Sequence, residues 1–186
     1  LLKGAAQSCY FKMSGGTRHG VNAANEKYTM KDGAAVYMDD ENGLVEITGG
    51  TIRDCFAANG GAVYMTAGTF TMSGMATIAN CSAAENGGAV YLGGGTMTIS
   101  GGDIGTAEAP NEAQNGAGVY MAGGTLNVTG GTIAYNQAAE NGGGAYMGGG
   151  TLTISGGSIG YNTAQQNGGG TYLGGGTLIV SGGSIS

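Results

Sequence analysis

Residues 141–162 hold three short phrases: Asn-Gly-Gly-Gly-Ala-Tyr-Met over 141–147, Gly-Thr-Leu-Thr-Ile-Ser over 150–155 and Gly-Gly-Ser-Ile-Gly-Tyr-Asn over 156–162, followed by a tail of Thr-Ala-Gln-Gln. Inside the second phrase the apolar period is two. Leu152 and Ile154 point one way and Thr151, Thr153 and Ser155 the other, as in a strand with one buried face. Val, Thr, Ile and Tyr favour strands, and the Gly-Gly steps allow corners with positive φ at no Cβ penalty. Working outward, segments 59–85, 86–114, 115–140 and 141–166 each open with Asn-Gly and run through the same phrases. The pairs Phe11/Met13, Val45/Ile47, Phe70/Met72, Met97/Ile99, Leu126/Val128 and Leu178/Val180 repeat Leu152/Ile154.

Two markers measure the step. Tyr37, Tyr64, Tyr91, Tyr120, Tyr146 and Tyr172 lie 27, 27, 29, 26 and 26 residues apart; Ile52, Ile78, Ile104, Ile133, Ile159 and Ile185 lie 26, 26, 29, 26 and 26 apart. The shared 29 puts the extra residues in the loop holding Glu108, Pro110 and Glu112, which carries the one proline of the chain. Hairpin folds do not repeat one phrase at such a step. Three short strands and glycine corners per repeat make a triangular coil, and coils stacked about 4.8 Å apart pair their backbones with the coils above and below. The expected fold is therefore all-β, a parallel β-helix (solenoid) of about seven coils, with coil starts near 32, 59, 86, 115, 141 and 167. Residues 1–31 are less regular and predict a first coil or N-terminal cap; residues 32–186 are the repeat array. Gly182–Ser186 stop in the third phrase of a coil that still obeys the repeat, so the array is expected to continue in further chain or to pair with a neighbour.

Composition removes several alternatives. The 186 residues include 43 Gly but one Pro and no Gly-X-Y period, which excludes collagen; 41% apolar residues exclude a disordered chain. No apolar run is long enough to span a membrane as a helix. Leu1-Leu2-Lys3 has no long apolar stretch after it, so the chain reads as a mature piece or an excised fragment rather than one opening on a signal peptide. The net charge is −6, and from Asp54 to Ser186 there is no Lys or Arg. Nucleic-acid binding and docking on anionic lipid both need basic side chains, so neither is expected.

The phrases Gly-Gly-Ala-Val-Tyr (60–64 and 87–91) and Ile-x-x-Asn (Ile133–Asn136, Ile159–Asn162) resemble the GGA-[ILV] and F-x-x-N repeats of polymorphic outer-membrane autotransporter proteins. They are equally similar to the GGT-x-T-x-SGG-x-I-x-x-N repeats of large bacterial surface adhesins. Both groups are right-handed, pectin-lyase-like parallel β-helices. The resemblance covers residues 32–186; Ile stands where the first family has Phe, and GGA becomes GAG or GGG in later coils. It implies a right-handed coil and a secreted stalk or adhesin at the cell surface.

Four features carry candidate chemistry. If Val36, Val63 and their equivalents face inward, the tyrosines Tyr37, Tyr64, Tyr91, Tyr120, Tyr146 and Tyr172 face out as a ladder, either a contact stripe or like stacked on like. Thr69/Thr71/Ser73, Thr96/Thr98/Ser100, Thr125/Asn127/Thr129 and Thr151/Thr153/Ser155 form hydroxyl columns that resemble the water-ordering face of ice-binding solenoids, or simply exploit Thr as a strand former; Lys12, Glu46 and Ile179 interrupt them. Cys55 and Cys81 share a coil position occupied later by Ala107, Asn136 and Asn162, close enough for a disulfide or for two buried thiols. Glu85 and Glu140 share a loop column two coils apart, near the upper separation of an inverting carboxylate pair but without an accompanying base. Cys9 has no equivalent partner, His19 stands alone, and Asp39-Asp40-Glu41 offers either a Ca²⁺ corner or a solvated turn. No catalytic residue, cofactor or metal is assigned.

The function expected from this pattern is a non-catalytic extracellular surface protein, a rigid adhesin, stalk or filament-forming solenoid. Its partners would be a host or cell-surface protein, a polysaccharide, or another copy end to end. A polysaccharide-binding or polysaccharide-degrading β-helix is the first alternative, and an ice-binding protein using the Thr-x-Thr face the second.

Overall fold

The structure, a computed structural model, describes residues 10–19 and 30–186, the former and Met30 by their backbone alone. The readings for Cys9, for the His19 side chain and for the cap over residues 1–9 and 20–29 lie outside the described residues. The described chain is all-β: three parallel sheets, one of nine strands and two of six, wound into about six turns.

One sheet, the tyrosine face, stacks Val36–Met38, Val63–Met65, Val90–Leu92, Val119–Met121, Ala145–Met147 and Thr171–Leu173. The long face stacks Tyr10–His19, Leu44–Arg53, Thr69–Ala79, Thr96–Ile104 and Thr125–Ala134; its last two rungs divide into Thr151–Ile154 with Ser158–Gly160 and Thr177–Val180 with Ser184–Ile185. The second and third phrases thus belong to one bent strand in the earlier coils. Phe11 and Met13 fall opposite Val45 and Ile47, the register their pattern predicted. The third face is built from the segment read as a tail: Met30–Asp32, Phe56–Asn59, Ser82–Asn86, Glu112–Asn115, Gln137–Asn141 and Thr163–Ala164.

Inside, equivalent side chains lie directly over one another. Val45, Phe70, Met97, Leu126 and Leu152 form one buried column, Ile47, Met72, Ile99, Val128 and Ile154 a second, and Ile52, Ile78, Ile104, Ile133 and Ile159 a third. On the third face the inward column is alanine: Ala57, Ala83, Ala113 and Ala138, all buried. A truncation of an interior aliphatic to Ala opens a cavity bounded by the equivalent apolar side chains above and below, costing about 2–5 kcal/mol. At the last coil the first column ends on half-buried Leu178, and the second and third on Val180 and Ile185, exposed by 52% and 37%. Met75, 89% exposed, marks a bulge: Thr69–Ala79 carries one more residue than its neighbours between the two halves of the face.

The 29-residue step has a local origin. Thr106 and Ala109 form a small antiparallel bridge in a loop, and Asn80 N–H donates to the Ala109 carbonyl at 3.1 Å. The chain re-enters the coil at Asn111, so Asn111, not Ala107, fills the position of Cys81 and Asn136.

Candidate functional site

The six tyrosines pair in direct register and stack ring on ring, with centroids 5.4, 4.7, 5.2, 4.8 and 4.9 Å apart and interplanar angles of 8–26°. Flanking Val and Met are buried while the rings are half-buried on the outside. Because neighbours cover the ring faces, the ladder presents edges and phenol hydroxyls. Burial raises the pKa of Tyr64, Tyr91 and Tyr120, with the charges of neighbouring phenols adding to it for Tyr64 and Tyr120 and that of Asp32 for Tyr64 and Tyr91.

On the long face the hydroxyl columns are in register: Thr69, Thr96, Thr125 and Thr151 in one, Thr71, Thr98, Asn127 and Thr153 in the next. Glu46 and Ile179 extend the second column at its ends. Several hydroxyls turn back onto the preceding coil, Thr71 Oγ1 to the Val45 carbonyl, Ser100 Oγ to Met72 and Thr129 Oγ1 to Ile99, at 3.3–3.4 Å. A further outward column, Thr51, Thr77, Asp103, Thr132, Ser158 and Ser184, lies beyond the bend of the same face. Thr132 Oγ1 donates to the Asp103 carboxylate there.

Cys55 and Cys81 occupy adjacent coils as buried thiols with no disulfide between them. Cys55 Sγ donates to the Arg53 carbonyl at 3.4 Å and Cys81 Sγ to Ala79 at 3.3 Å. Burial, and then hydrogen bonding to Cys55, pushes the Cys81 thiol well above the ordinary range. Their column continues as a buried amide ladder. Asn111 Nδ2 donates to Asn136 Oδ1 and Asn136 Nδ2 to Asn162 Oδ1, both at 2.9 Å. The same amides reach the carbonyls of Ile78 (3.0 Å), Ile104 (2.9 Å) and Ile133 (2.7 Å), holding the corner to the preceding coils.

An outer amide ladder runs along the Asn-Gly corner. Asn59 Nδ2 donates to Asp32 and to Glu85, Asn86 Nδ2 to Asn59 and Asn167 Nδ2 to Asn141, at 2.9–3.3 Å. Glu140 accepts from Asn115 at 3.3 Å, so Glu85 and Glu140 both serve this ladder, two coils apart. Asp40 Oδ1 accepts from Asn42 N–H at 3.0 Å in the acidic turn. Among the described residues no three His, Cys, Asp or Glu side chains converge as a metal site.

One concave surface was not singled out from the sequence. An open groove of about 480 Å³ crosses five coils of the third face, lined by Ser82, Glu112, Gln114, Gln137, Thr163 and Gln165 with the buried alanines Ala83, Ala113 and Ala138, and with Phe56 at one end. Two residues before Gln137 and Thr163 stand Tyr135 and Tyr161, exposed by 39% and 74% and stacked at 5.2 Å. Both have positive φ, 60° and 56°, unusual for a bulky residue. The signal for them was the Tyr inside Ile-x-Tyr-Asn, overshadowed by the longer ladder.

These surfaces and the three parallel sheets define a parallel β-solenoid of the β-helix type with axial columns of like side chains. No family model, no curated protein and no solved structure matches the chain. Among the described residues no helix is long and apolar enough to cross a membrane.

Proposed function

We propose that the chain is a rigid rod of an extracellular or cell-surface protein, of stalk or adhesin type, that meets its partners along its faces. The observation that carries this reading is the repetition of one outward tyrosine per coil in an unbroken axial column. Such columns spread identical contacts along the axis, which suits a linear or repeating partner. A panel of polysaccharides incubated with the pure protein tests it: binding without bond cleavage is expected, and release of reducing or unsaturated sugar would overturn the non-catalytic reading.

The third-face groove favours a glycan as the partner. Its amides, hydroxyls and small apolar lining suit sugar hydroxyls, and the exposed Tyr135–Tyr161 stack lies two residues before its Gln137 and Thr163. Glu85, Glu112 and Glu140 lie in or beside it, and no Lys or Arg follows Arg53, so the glycan would be neutral or carry amino groups rather than carboxylates. Tyr161→Ala and Gln137→Ala should each weaken binding by about tenfold without changing the circular dichroism spectrum. Unchanged affinity in both variants would remove the groove from the reading. The hydroxyl columns of the long face keep ice binding as a separate alternative, tested by thermal hysteresis in a freezing assay.

A further inference from the structure

The corner between the long face and the third face holds one inward column whose chemistry changes along the axis. It is Cys55 and Cys81 in two coils, then Asn111, Asn136 and Asn162 in the next three. The asparagines tie their coils to the preceding ones, because their Nδ2 atoms donate to the carbonyls of Ile78, Ile104 and Ile133 at 2.7–3.0 Å. The equivalent reach, from Cys81 Sγ to the Ile52 carbonyl, is 4.0 Å. A thiol is a weak donor, and at that distance it contributes little. The corner is therefore tied less tightly where sulfur stands than where the amides do.

The two sulfurs are placed to bond to each other instead. Phe56 and Ser82, the next residues along each coil, are register partners, and Ser82 N–H donates to the Cys55 carbonyl at 2.8 Å. Such neighbours lie about 4.8 Å apart across parallel strands, inside the Cα separation of roughly 4.4–6.8 Å that a disulfide needs. The Cys81 thiol is hydrogen-bonded to Cys55. Both residues are buried, so a small oxidant meets them when the corner opens locally or while the chain folds.

We propose that Cys55 and Cys81 are a dithiol–disulfide site, oxidised by a small-molecule disulfide of the glutathione class, and that the bond clips two adjacent coils where the amide ladder is missing. One cysteine thiolate attacks a sulfur of the small disulfide, forming a mixed disulfide and releasing one small thiol. The second cysteine then attacks the protein sulfur of that mixed disulfide and expels the other small thiol. The two cysteine sulfurs lose two electrons and two protons, and both appear in the two small thiols formed. The bond closes a loop of one whole coil, so the length of that coil cannot be released while it stands. This site depends on no partner and stands apart from the reading of the outer faces.

The test uses the full 186-residue chain, refolded from urea in a buffer of reduced and oxidised glutathione and then alkylated. Cyanogen bromide cleaves after methionine, and Met13, Met38, Met75 and Met97 put Cys9, Cys55 and Cys81 on three separate fragments. The fragments carrying Cys55 and Cys81 are expected to stay joined until a reductant is added. The oxidised chain is expected to unfold about 1 M higher in urea than the reduced chain. Cys81→Ala should abolish both the join and the shift, which separates the bond from any general effect of the buffer. Cys55 and Cys81 recovered as alkylated thiols, or joined to Cys9 rather than to each other, would overturn the proposal. So would an oxidised chain no more resistant to urea than the reduced one.

Discussion

Two corners of the coil both use positive φ, yet they treat their side chains differently. At the Asn-Gly corner the position is glycine in every described coil, with φ of 58–70°. At the corner between the long face and the third face, φ is 58° at Asp54, 51° at Asn80, 60° at Tyr135 and 56° at Tyr161. Positive φ costs a non-glycine residue about 1–2 kcal/mol, and the second corner tolerates that cost. The first does not, because a Cβ on Gly87 would lie 2.4 Å from the Val90 carbonyl oxygen, and one on Gly60 2.2 Å from that of Val63. Glycine is demanded where the dihedral and a backbone oxygen coincide; the dihedral alone leaves room for choice. The freedom at the second corner allows exposed tyrosines there, and one residue later the chain turns inward to Cys55, Cys81, Asn111, Asn136 and Asn162.

The largest effect is expected inside the second corner. Asn136→Leu deletes the amide that reaches the Ile104 carbonyl and Asn162, and takes the acceptor from one N–H of the Asn111 amide beneath it. A loss of about 3 kcal/mol or more in urea unfolding follows from leaving buried polar groups unpaired. A cost under about 1 kcal/mol would mean that water replaces the amide, and the corner would be less tightly specified than its distances suggest.

Next comes Gly87→Ala, expected to destabilise by about 2–3 kcal/mol from backbone strain at a position with no room for Cβ. If it cost no more than an ordinary positive-φ substitution, the contrast between the two corners would fail.

Alkaline titration should give a smaller effect. The Cys81 thiol and the Tyr64, Tyr91 and Tyr120 phenols are raised in the folded state. The unfolded chain therefore loses these protons first, near about 8.5 for the thiol and about 10 for the phenols. Stability should be level below that range and fall as the pH rises through it. Cys81→Ala should flatten the first part of the fall, and an unchanged pH profile in that variant would assign the loss elsewhere.

Smallest is Asn80→Gly. Relief of the positive φ offsets the loss of the Asn80 hydrogen bond to the Asp54 carboxylate, so a net change within about 0.5 kcal/mol is expected. A large loss would show that the outward side chain, not the backbone, holds this corner.

The same contrast explains what the sequence made legible. The Asn-Gly corner and the Leu-x-Ile alternation recur because backbone geometry and burial demand them, so the coil, its step and the tyrosine register could be read directly. The third face was read as a tail because Ser82–Asn86 and Gln137–Asn141 carry Ala, Gln and Glu rather than β-branched residues; neighbouring coils, not propensity, make them strands. Asn111 was missed for Ala107 because counting from Ile104 cannot see a loop leave the coil and return. The groove and the Tyr135–Tyr161 stack depend on which side chains adjacent coils bring together, which spacing along one coil does not reveal.

The stacking also has a mechanical side. All three sheets bond each coil only to the coils before and after it, so a pull between the two ends loads one set of inter-coil hydrogen bonds at a time. A released coil of about 26 residues frees roughly 85–90 Å of chain, against a rise of about 4.8 Å while folded. Stretched between a surface and a partner, such a rod would give way one coil at a time in near-equal increments, lengthening many-fold while the remaining coils stay intact.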